Sequence, residues 1–105
     1  MSDSNLRDHQ FFSQSIELAV RAANREILHP VVDPLTKNKV IAVSVEVAKR
    51  RSAYIAATLK MGDASDDSPS GEELKRLRLE FEEARDGFGA LMTAIERDYI
   101  DVPSE

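Results

Sequence analysis

Glu26-Ile27-Leu28-His29 is the one place in this chain where a carboxylate stands three residues before an imidazole. Helices of carboxylate-bridged bundles present both groups to a metal ion at that spacing. The only other histidine, His9, has Leu6 in the corresponding position. A di-metal site would therefore need a second copy to bring its own Glu26 and His29, with Glu17 or Glu46 as further ligands. Pro30 follows His29 directly and places it at a fraying helix end. The plainer expectation is a histidine at the negative end of a helix dipole, where a partly protonated imidazole is mildly favoured.

Other reactive constellations are missing from the pattern. The chain has no cysteine, which removes disulfides, thiolate ligands and cysteine nucleophiles together and fits a reducing compartment. Gly62, Gly71, Gly87 and Gly89 form no glycine-rich cradle ahead of a helix, so nucleotide phosphate binding is not expected. Ser13, Ser15, Ser44 and Ser52 have no histidine base nearby in sequence and read as surface or small core residues. Histidine phosphotransfer needs an exposed histidine in mid-helix, and Pro30 denies His29 that setting. The expectation is a protein without catalysis and without cofactor.

Charge points to partners rather than substrates. A formal net charge of −5 disfavours nucleic acid and anionic lipid. Within that acidic background Lys49-Arg50-Arg51 is a basic cluster in mid-helix, with Arg21, Arg25, Lys37 and Lys39 elsewhere. An ion-paired or solvated face is the ordinary explanation. The functional one is a rim that steers an acidic protein or peptide onto apolar neighbours such as Val47 and Tyr54. No run approaches the roughly 20 apolar residues of a membrane span, and the first twenty positions hold Asp3, Arg7, Asp8, His9 and Glu17. A cytoplasmic, soluble protein is expected.

The elements that would carry these residues are three long helices in a single domain over residues 1–105. The clearest is the third: Leu74, Leu77, Phe81, Ala84, Phe88, Leu91 and Ile95 alternate spacings of three and four, one narrow stripe on an α-helix. Ser70 with Glu73 forms a capping box at its start, and it should run over about 70–98; Gly87 and Gly89 inside it read as close helix packing or a mild kink, with a break near Gly87 giving a fourth, short helix as the alternative. A first helix over about 4–29 carries Phe12, Ile16, Ala19, Ala23 and Ile27 on one face, widened by Phe11, Leu18, Val20, Ala22 and Leu28, and should stop at Pro30. Asp33 and Pro34 read as N-cap and first residue of a second helix over 34–61, stopped by Gly62.

That second helix has two apolar seams: Ile41, Val45, Ala48, Ser52, Ile55 and Leu59, and, rotated about the axis, Val40, Val43, Val47, Tyr54, Ala57 and Met61. The β-branched run from Val40 to Val47 also permits a buried strand, but the helical period continues through Leu59. An acidic small-residue loop over 62–69 and a short tail over 99–105 complete the chain. Short connections predict an up-down-up antiparallel bundle. A helix apolar on two sides must bury both, either between the other two helices of its own chain or against a second copy; the surplus of apolar faces favours the second and predicts a homodimer joined through helix two and a function as an interaction module or adaptor.

Overall fold

The computed structural model describes residues 3–32, 34–63 and 67–103. Helix accounts for 84% of these and no strand occurs among them. The elements are α1 (Asp3–Val32), α2 (Lys37–Met61) and α3 (Gly71–Glu96). The Val40 to Val47 run is helical, its branched side chains fitting a helix whose period the rest of α2 enforces.

Local chemistry sets most of the boundaries. Ser70 is extended (φ −69°, ψ 161°) and its Oγ accepts the backbone N–H of Glu73 at 3.1 Å, the expected cap of α3. Gly62 is the C-cap of α2, its N–H donating to the Leu59 carbonyl at 3.2 Å. Two boundaries differ from the sequence reading. Pro30 does not end α1, which continues to Val32; in the last turn the missing N–H forfeits one bond, to the carbonyl of solvent-exposed Glu26. The N-cap of α2 is Thr36, whose Oγ1 accepts the Lys39 N–H at 3.2 Å, so the helix begins at Lys37 rather than at Pro34. Asp33, the expected cap, lies outside the described residues, as do 64–66 of the acidic loop. Helix α3 is continuous through Gly87 and Gly89, and a Cβ at either would meet nothing within 4 Å. Neither glycine serves a close approach within the chain.

The end of α3 is shaped by one strained residue. Asp98 sits at φ 64°, the left-handed region that asparagine and aspartate tolerate better than most. Its N–H donates to the Ile95 carbonyl at 3.1 Å, and the N–H of Tyr99 to the Ala94 carbonyl at 2.8 Å. This is a Schellman ending with aspartate in the glycine position. It folds the tail back over the helix end and buries Ile100.

Helices α2 and α3 pack together as an antiparallel hairpin. The α3 stripe faces inward: Leu74, Leu77, Phe81, Ala84, Phe88, Leu91 and Ile95 are all half-buried and Ala94 is buried. Of the two α2 seams, the one through Val47, Tyr54 and Ala57 meets α3. Val47 is 5% exposed, and the Tyr54 ring stacks on Phe81 with centroids 6.4 Å apart. The guanidinium groups of Arg51 and Arg85 lie over the same Phe81 ring at 5.2 and 5.5 Å from its centre.

Helix α1, expected to lie antiparallel against α2, packs along neither α2 nor α3. Only its C-terminal half is engaged, by the tail and the start of the α2 connection. The chain is extended as a result: its radius of gyration is 21.1 Å, against about 13 Å for a compact domain of this length.

Candidate interaction surface

Arg25 is the joint between α1 and the rest of the molecule. Its Nη1 donates to the Asp98 carbonyl at 2.6 Å and to Asp98 Oδ1 at 3.2 Å, and its Nη2 donates to Asp101 Oδ2 at 2.7 Å. The hydrogen bond and then the charge of Arg25 hold the Asp101 carboxyl below its ordinary value, with a smaller push from His29. Nothing local in the sequence signals this clamp, because its partners lie 73 and 76 residues away. The half-buried positions of α1, Asn24, Arg25, Leu28 and Val32, are its tail-facing side.

Advancing 100° per residue, the stripe Phe12, Ile16, Ala19, Ala23 and Ile27 lies on the other side of α1. No residue of α1 is fully buried. Phe11 is 73% exposed, Phe12 63% and Ile27 68%. Helix α2 repeats the situation. Val47, Tyr54 and Ala57 of one seam are committed to α3 while its Val43 and Met61 stay exposed, and the other seam is left bare: Ile41, Val45, Ala48, Ser52, Ile55 and Leu59 are all exposed. Helix α3 contrasts with both. Its outer face carries the pairs Arg76–Glu80 and Arg78–Glu82, and Leu79 is its only large apolar side chain standing exposed.

No family model, curated protein or solved structure matches this chain. The reading of the surface rests on its own residues.

The sequence-derived site residues fall into two groups. Val47 and Tyr54, expected at a partner face, are taken up by α3 inside the subunit, because theirs is the α2 seam that meets the Phe81 stripe. Lys49 is 3.9 Å from Glu46 on the same helix, Arg51 covers Phe81, and Arg50 is exposed without an ion pair among the described residues. The three basic residues therefore do not form one rim, since Arg51 is committed to the hairpin. Glu26 and His29 both line a cleft of about 570 Å³ between α1 and the tail, together with Arg25, Tyr99, Ile100 and Asp101. Among the described residues no group of three or more histidine or acidic side chains could hold a metal ion. Likewise, no helix among them is long and apolar enough to cross a membrane.

Proposed function

We propose that the protein is a non-catalytic, self-associating helical module that acts as an adaptor in the cytoplasm. The observation that carries this reading is where its uncovered apolar surface lies: among the described residues, every large exposed apolar residue except Leu79 belongs to α1 or α2. Scattered apolar side chains on a surface mean little, but two continuous stripes on neighbouring elements mark an interface. The magnitude agrees. A compact chain of 11.7 kDa exposes about 5,900 Å², whereas this one exposes 8,230 Å². An excess of roughly 2,300 Å² on each of two subunits falls in the range buried by obligate dimers.

The charge pattern supports an acidic partner for the assembled module. Helix α2 carries six basic residues and one acidic one within a chain of net charge −5. Arg50, exposed and without an ion pair among the described residues, is the natural point of attraction for an acidic segment. Sedimentation equilibrium tests the reading: a mass near twice 11.7 kDa at micromolar concentration is expected. A monomer persisting at several hundred micromolar would overturn it.

A further inference from the structure

We infer that the self-association proposed above is an exchange of helices, with α1 of each copy lying along the bare α2 seam of the other. The inference rests on that reading and adds which surface meets which. Three observations support it.

The first is direction. The Arg25 clamp to Asp98 and Asp101 presents the opposite side of α1 to the tail, so Phe12, Ala19, Ala23 and Ile27 face away from their own hairpin, while Ile16 edges a cleft with Val20, Arg97 and Tyr99. Cover for the first four must then come from another molecule. The second is shape. On α1 a small pair, Ala19 and Ala23, is flanked by Phe12 and Ile16 on one side and Ile27 on the other. On α2 the small pair Ala48 and Ser52 is flanked by Ile41 and Val45 and by Ile55 and Leu59. The stripes are roughly 22 and 27 Å long at 1.5 Å per residue. Small centres allow the axes to approach while large ends interlock beyond them, the arrangement that ridge-and-groove packing favours. The third is charge. Pairing α2 with a second α2 would bring two helices of six basic residues and one acidic residue together. Helix α1 carries four acidic and three basic residues, so it can cover the α2 seam without that repulsion.

The absence of native cysteine makes disulfide trapping a clean test. Chains carrying only Ala19→Cys are unfolded together with chains carrying only Ala48→Cys or only Ser52→Cys, refolded and mildly oxidised. Each variant is first checked for native helix content by circular dichroism. The expected result is a mixed disulfide dimer in one of the two combinations. A second link from Ala23→Cys then gives the direction: Ala19 to Ala48 with Ala23 to Ser52 indicates parallel helices, and Ala19 to Ser52 with Ala23 to Ala48 antiparallel ones. Three results would overturn the exchange. A dimer trapped by Ser52→Cys alone puts α2 against α2. A within-chain link in the Ala19→Cys/Ser52→Cys or Ala19→Cys/Ala48→Cys double variants, with no mixed dimer, puts α1 back on its own hairpin. A dimer that sediments as such but traps in no combination places the contact elsewhere. In all three the mass of the unlabelled protein separately decides whether the chain self-associates at all.

Discussion

Placing an aspartate on each seam of α2 separates folding from association. Val47 is 5% exposed against α3, so Val47→Asp removes a buried aliphatic group worth about 1.5–3 kcal/mol. It also leaves a carboxylate in an apolar contact at a further cost of a few kcal/mol. Arg51, one turn on, can approach the new charge only by leaving the Phe81 ring 5.2 Å beneath it. A loss of about 4 kcal/mol or more is a large part of the 5–15 kcal/mol that holds a typical domain together. Ile55 stands 50% exposed on the other seam. Ile55→Asp costs the subunit about 1 kcal/mol, because isoleucine and aspartate differ little in helix propensity and half the side chain is already in water. In a two-fold assembly the same change appears twice at the interface. At about 2 kcal/mol each, the dimer weakens by roughly a thousandfold. Circular dichroism and sedimentation velocity at one fixed protein concentration read both effects, since the stability of a dimer depends on concentration. The expectation is that Val47→Asp loses helix signal while Ile55→Asp keeps it and sediments as a monomer. An unfolded Ile55→Asp beside a folded Val47→Asp would show that the facing of α2 has been read backwards.

Gly87→Ala and Gly89→Ala should each stabilise the protein by about 1 kcal/mol in urea unfolding, because both positions are helical with open space where the methyl would go; a loss of stability would mean that a second copy approaches the helix there. Asp98→Gly should raise the unfolding midpoint, since it relieves about 1 kcal/mol of left-handed strain while the Asp98 carbonyl still accepts from Arg25; a lower midpoint would show that the carboxylate pair outweighs the backbone. The Asp101 carboxyl titrates below its ordinary 3.8, so the clamp's contribution is present above that pH and is lost as the pH falls through the lowered value. The side-chain carboxyl carbon resonance of Asp101 should therefore have its main transition below pH 4, and a midpoint above pH 4 would contradict the assignment. Arg50→Glu should leave the fold and the dimer unchanged but weaken capture of an acidic peptide, most at low salt, measured by fluorescence anisotropy.

The sequence is most legible where one residue type repeats at a fixed period. The α3 stripe from Leu74 to Ile95 and the Ser70 cap need no tertiary information, since periodicity and capping are local properties. The two seams of α2 are equally visible, but their assignment is not. Both are apolar at helical spacing, and only the fit of Tyr54 and Arg51 to Phe81 decides which one turns inward. Thr36 is hidden as a cap because Asp33-Pro34 offers a stronger local signal three residues earlier. The Arg25 clamp depends on a left-handed turn at Asp98 and on partners more than seventy residues away, a relation that no short pattern encodes.

A helix that packs along neither of the other two also has a history during synthesis. Helix α1 leaves the ribosome before either element of the hairpin, with Phe11, Phe12 and Ile27 in water. At about 5–20 residues per second, roughly 1.5–6 s pass before the α2 seam follows. If the seam that covers α1 belongs to another molecule, even that arrival does not end the wait. Assembly becomes a second-order event whose speed depends on how many sister chains are nearby. Neighbouring ribosomes on one message would then supply the local concentration that the single chain lacks.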